Sequence, residues 1–129
     1  MLTDVLANAI ATIKNNEVKG RSECLIYPSS KLVMEVLKVL QRNGYEGEIE
    51  YIEDGRGGKL KVQLLGKIND CGVVKPRHSV KHHEIDRWKT RFLPARDVGI
   101  LVLSTSHGIL SHHEAEELKI GGILLAYVY

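Results

Sequence analysis

Two apolar runs near the C-terminus, residues 98–103 (VGILVL) and 123–129 (ILLAYVY), constrain the fold more than any other feature of the chain. Both are far too short to span a membrane, and both are nearly continuous rather than alternating, which is how a strand buried inside a sheet reads. Between them, SHHEAEELK (111–119) places Ser111 and Glu114 at capping-box spacing, so a helix is expected there. A chain of 129 residues with 43% apolar content can bury a core without disulfides. Cys24 and Cys71 form no paired motif, so neither a disulfide framework nor a four-cysteine zinc site is expected. With no basic leader before the first apolar stretch, the chain reads as cytoplasmic.

The N-terminal half mixes periods. Leu6, Ala9, Ile10 and Ile13 form one helical stripe between Asp4 and Val18, with Thr3 or Asp4 available as the cap. ECLIYP (23–28) predicts a strand stopped by Pro28, and SSKLVMEVLKVLQRNG (29–44) predicts a second helix, capped by Ser29 or Ser30 and ended by Gly44. From residue 45 the pattern alternates, with Glu46, Glu48 and Glu50 on one side and Ile49 and Tyr51 on the other. Lys59 and Lys61 resume it beyond DGRGG, which reads as a hairpin turn. The expected fold is α/β of the α+β kind, with two small, tightly packed units. Residues 1–66 form an α-β-α-β-β unit, and residues 67–129 form a mostly β unit with one helix.

Charge is segregated along the chain. Residues 56–96 hold eleven Lys/Arg against three Asp/Glu, whereas residues 1–55 hold six against nine and residues 97–129 hold one against four. A basic block inside a near-neutral chain suits a polyanion-binding face. Its candidate phosphate contacts are Lys75, Arg77, Lys81, Arg87, Lys89 and Arg91.

The segment STSHG (104–108) admits three chemistries. Catalysis by Ser104 or Ser106 needs a base in reach and an acid behind it, but His107 is a neighbour in sequence only and no nucleophile-elbow motif is present. No catalytic residue is therefore assigned. All six histidines fall within residues 78–113, which keeps a His-rich metal-dependent hydrolase as the alternative. Adjacent side chains in His82/His83 and His112/His113 diverge, however, and HExxH is absent, so no metal ligand or cofactor is assigned. RNA binding is the third reading. The hydroxyls of Ser104, Thr105 and Ser106 both donate and accept, and Gly108, Gly121 and Gly122 permit close backbone approach. Gly121 and Gly122 equally suit a left-handed cap ending the last helix. Trp88 reads as a packing anchor, and with 5% aromatic residues hydrogen bonding should outweigh stacking.

GILVLSTSHGILSHHEAE (99–116) resembles the signature of the universal small-subunit ribosomal protein number eight family, in its archaeal-type form. MLTDVLANAIATIKN, YPSSKL and KIGGILLAYVY resemble the family's first helix, second-helix start and closing segment. The resemblance implies a noncatalytic protein that binds the central domain of small-subunit ribosomal RNA and helps organise the platform beside neighbouring ribosomal proteins. It also implies that the protein can repress its own operon's messenger RNA. It assigns RNA recognition to Ser104, Thr105 and Ser106 with Gly121 and Gly122 nearby, and secondary contacts to Thr3, Ser30 and Lys31. Where bacterial members carry Glu after the paired glycines, this chain has Ile123.

Overall fold

The computed structural model describes residues 5–27, 30–53, 55, 58–95 and 98–129, without the side chains of Lys75 and Pro76. The chain divides into two compact units, Met1–Ile68 and Asn69–Tyr129. Among the described residues, no helix is long and apolar enough to cross a membrane.

The first unit contains α1 (Val5–Val18), β1 (Glu23–Ile26), α2 (Lys31–Arg42), β2 (Glu46–Ile52) and β3 (Lys59–Leu64). Its antiparallel sheet has the order β1-β3-β2. Leu6, Ala9, Ile10 and Ile13 of α1 are buried as their spacing required, as are Val33, Val36, Leu37, Val39 and Leu40 of α2. The strands contribute Cys24, Ile26, Leu60, Val62 and Leu64 to the buried set. Ser30 caps α2, its hydroxyl accepting from the Val33 N–H at 3.1 Å. The candidate caps Thr3, Asp4 and Ser29 lie outside the described residues.

One feature of β2 departs from the alternation. Glu46 pairs with Leu64 but Ile49 pairs with Val62, so one extra residue is inserted between them. Because strand side chains alternate with period two, that bulge moves Glu46 from the glutamate face to the Ile49 and Tyr51 face. Glu46 is consequently 2% exposed, and neither carboxylate oxygen has a hydrogen-bond partner among the described residues. Burial, with the nearby charge of Glu17 adding to it, pushes its pKa up to about 8. Cys24 is pushed to about 11 by burial and then by Glu46 and Glu17, which leaves an inert thiol.

The second unit contains β4 (Cys71–Val80), a 3-10 turn at His82–Glu84, α3 (Ile85–Phe92), β5 (Ile100–Thr105), β6 (Gly108–Ser111), α4 (His112–Leu118) and β7 (Gly122–Val128). The two apolar runs are adjacent strands in the antiparallel order β4-β7-β5-β6. Two α-helices stand where one was expected. Within IDRWKTRF, Ile85, Trp88 and Phe92 repeat at helical spacing, and α3 turns them toward a core shared with Val74, Val80, Leu93, Leu101, Leu103, Ala115 and Leu124. Ser111 caps α4 at the spacing read: the Glu114 N–H donates to the Ser111 hydroxyl, and that hydroxyl donates to the Glu114 carboxylate, each at 3.3 Å. Edge strand β4 carries Pro76 within the stretch where its register to β7 shifts, between Val73 and His78. A residue without an N–H is tolerated at such a place.

Candidate nucleic-acid interface

β5 and β6 form a hairpin whose two connecting residues are Ser106 and His107, with Thr105 paired to Gly108. Gly108 has φ +103°, a conformation that an L side chain resists. The three hydroxyls have different duties. Thr105 Oγ1 donates to the Gly108 carbonyl at 2.8 Å and accepts from the His107 N–H at 3.1 Å, so it staples the turn. Ser104 is half-buried and Ser106 exposed, and neither hydroxyl has a partner among the described residues. The loop thus presents two free neutral hydroxyls on a braced turn and carries no carboxylate.

The paired glycines lie next to this hairpin. Gly121 faces the carbonyl oxygen of Val80 and Gly122 that of Ser104, each so closely that a Cβ has no room. They do not form a left-handed cap. That role falls to Lys119 at φ 56°, whose N–H donates back to Glu116. Omitting two side chains lets the end of β7 lie directly between β4 and β5 and fixes a row of register partners, Ser79, Ile123, Ser104 and Ile109, across the four strands. Opposed residues in an antiparallel sheet share a face, so this row is a single surface. The residue alphabet alone did not reveal that Ile123 and Ile109 flank Ser104, with Ser79 beyond Ile123.

The basic block is less uniform than its sequence. Arg77, Lys81, Arg87 and Arg91 are exposed, and the Arg91 guanidinium lies 5.3 Å from the Trp88 ring and 5.7 Å from the Phe92 ring. The Lys75 side chain lies outside the description. Lys89 differs from the rest. Its ammonium is 2.8 Å from Asp86 and 3.3 Å from Glu116, with the side chain only 13% exposed. Burial acts to lower its pKa, but hydrogen bonds to the two carboxylates outweigh that and hold it above the ordinary value. Lys89 thus ties α3 to α4, with carboxylates of both helices beside its ammonium.

Trp88 is half-buried in an aromatic column. Its ring is 4.6 Å from His78 and 6.1 Å from Phe92, and Phe92 continues to Tyr127 at 5.5 Å. Adjacent histidines lie closer than their expected divergence, with ring centroids 3.9 Å apart in His112/His113 and 5.4 Å apart in His82/His83. His112 is fully buried, and its Nδ1 accepts from the Leu101 N–H at 3.0 Å, which holds the ring neutral with the proton on Nε2. Burial chiefly, then the charges of His113 and Lys89, lowers its pKa to about 3. Among the described residues no three His, Cys, Asp or Glu side chains are grouped so as to hold a metal ion. In the first unit, Ser30 and exposed Lys31 stand at the start of α2, and Thr3 lies outside the described residues.

A family model described as ribosomal protein S8 matches residues 4–129. The chain belongs to the ribosomal protein S8 family. It is 60% identical over 129 residues to the small ribosomal subunit protein uS8 of Pyrobaculum islandicum, covering 100% of this chain and 99% of that one. The uS8 proteins of Pyrobaculum neutrophilum and Caldivirga maquilingensis are 59% and 57% identical over the same coverage. The S8 relatives share the length as well as the pattern, so both units and the hairpin between β5 and β6 fall inside the match.

Proposed function

We propose that the chain is a noncatalytic part of the small ribosomal subunit that binds the central domain of its ribosomal RNA through the 104–106 hairpin and helps assemble the platform. The observation that carries this reading is the pair of hydroxyls, Ser104 and Ser106, that have no partner among the described residues and are held on a turn braced by Thr105 and Gly108. Neutral oxygens of this kind read base edges and 2′-hydroxyls, whereas cations hold the backbone without regard to sequence. Arg77, Lys81, Arg87 and Arg91 supply that second contribution. Gly121 and Gly122 shape the contact surface by bringing β7 under it, and Gly108 gives the turn its bend. Ser30 and Lys31 at the start of α2, with Thr3, make a secondary contact from the first unit. The same face binds a mimic of the ribosomal site on the operon's own messenger RNA and represses it, and neighbouring small-subunit proteins are the other partners.

A filter-binding titration with a central-domain ribosomal RNA fragment and a scrambled transcript of equal length, each at two salt concentrations, tests the reading. The expected result is a preference for the fragment of about 10³-fold or more that persists at the higher salt. Equal affinity for both transcripts overturns it.

A further inference from the structure

The three-stranded sheet of the first unit buries one face. Cys24 and Ile26 of β1 and Leu60, Val62 and Leu64 of β3 belong to the core, so strand alternation sends Glu23, Leu25, Lys61 and Gln63 to the other face. There they meet Glu48 and Glu50 of β2, and a groove of about 380 Å³ is lined by Ser22, Glu23, Glu48, Glu50, Lys61 and Gln63. Leu25, 54% exposed, shares a row with Lys61 and Glu50. The charges of this face do not balance. Lys61 lies 3.4 Å from Glu23, and among the described residues no cation stands within ion-pair distance of Glu48 or Glu50. Their positions are fixed by the bulge of β2. The Gln63 side chain occupies the space where Gly47 lacks a Cβ, and its Oε1 accepts from the Glu48 N–H at 3.1 Å. Glu48 and Glu50 therefore stand two residues apart on one strand, about 7 Å.

We propose that this face docks an extended Lys/Arg-rich segment of another small-subunit protein, with alternate cations on Glu48 and Glu50 and their aliphatic stems on Leu25. The proposal rests on the part of the reading above that makes neighbouring small-subunit proteins partners, and is independent of the 104–106 hairpin. RNA does not suit the groove, because three carboxylates against one ammonium repel phosphate. An extended polypeptide does suit it, since its side chains on one face repeat every second residue, at the same spacing of about 7 Å as the two carboxylates. Lys and Arg stems cover an apolar side chain while their charged heads reach past it. Ion pairs on an open face add little affinity each, so their register chiefly selects which segment fits.

The test uses the full chain with Ser22, on the rim of the groove, replaced by the photo-cross-linker p-benzoylphenylalanine, assembled into small subunits and irradiated. The expected product is a cross-link to a protein peptide with Lys or Arg at alternate positions. Glu48→Lys/Glu50→Lys in the same chain is expected to lower its yield about tenfold and Glu48→Gln/Glu50→Gln about threefold, with melting temperatures unchanged. Both variants should bind the central-domain fragment within twofold of wild type. No protein cross-link, a cross-link to RNA alone, or a yield within twofold in the charge-reversed variant overturns the docking face while leaving the hairpin reading intact. A charge-sensitive protein cross-link from a chain that does not distinguish the fragment from scrambled RNA upholds the docking face and sinks the hairpin.

Discussion

Gly122 lies against the carbonyl oxygen of Ser104 with no room for a Cβ between them. This contact sets how far β7 advances beside β5, and thereby where the Ser104 hydroxyl stands relative to Ile123 and Ser79. A methyl group added at Gly122 must push one strand away, and backbone has little slack to give. Gly122→Ala is expected to lower the melting temperature by several degrees, corresponding to roughly 1–3 kcal/mol of overpacking, and to weaken binding to the central-domain fragment in parallel. A melting curve and a filter-binding titration on one preparation check both, and an unchanged pair of values would remove this contact as a determinant of the site.

The three hydroxyls of the hairpin should separate by assay. Ser104→Ala and Ser106→Ala are expected to cost about 1–3 kcal/mol of affinity for the specific RNA while leaving scrambled RNA nearly unaffected, because both oxygens are free to contact RNA. Thr105→Ala removes the donor to Gly108 and the acceptor for the His107 N–H. Its expected signature adds faster amide exchange at His107 to a loss of affinity. Thr105→Ser keeps the oxygen and should restore both.

Lys89 and Arg87 are neighbours on the first turns of α3 with opposite expected behaviour. Arg87 is exposed, so Arg87→Ala should weaken binding to every RNA and make the salt slope shallower by about 0.7–0.9. Lys89→Ala removes the cation that bridges Asp86 of α3 and Glu116 of α4, so it should lower the unfolding midpoint and leave the salt slope unchanged. Titration of both variants at four salt concentrations, with denaturation curves alongside, distinguishes the roles.

Glu46 links stability to alkali. Its folded pKa of about 8 lies above the usual carboxylate value, so between roughly pH 4.5 and 8 the folded state holds a proton that the unfolded state has released. Stability therefore falls as pH rises across that window and levels off above it, by on the order of 2–4 kcal/mol in all. Glu46→Gln, which cannot ionise, should flatten the curve and be the more stable protein at pH 8. Urea midpoints at pH 5, 6.5 and 8 for both proteins measure this directly.

His112 links stability to acid in the opposite sense. Because burial first and neighbouring cationic groups second depress its pKa to about 3, the unfolded chain takes up a proton below about pH 6.5 that the folded chain refuses. Its contribution is complete above the unfolded value and is lost as pH falls toward 3. Replacing it with Leu leaves the Leu101 N–H without its acceptor, so that variant should be less stable at pH 7 by about 1–3 kcal/mol and should lose less on acidification.

The apolar runs at 98–103 and 123–129, the helical stripes of α1 and α2 and the Ser111 cap of α4 were legible in the sequence because each depends on neighbours a few residues away. Hydroxyl and glycine content singled out residues 104–108 as the loop proposed to bind RNA for the same reason, since it is a matter of composition and order. What only the tertiary structure decided turns on partners distant in sequence. A single inserted residue opposite Leu64 put Glu46 inside, the αL conformation went to Lys119 while close strand packing claimed Gly121 and Gly122, and Glu116 reached across to claim Lys89. Periodicity reports which face a side chain prefers, but strand register and cross-element ion pairs are settled only when the chain closes on itself, because a one-residue slip reverses every face at no cost visible in local propensity.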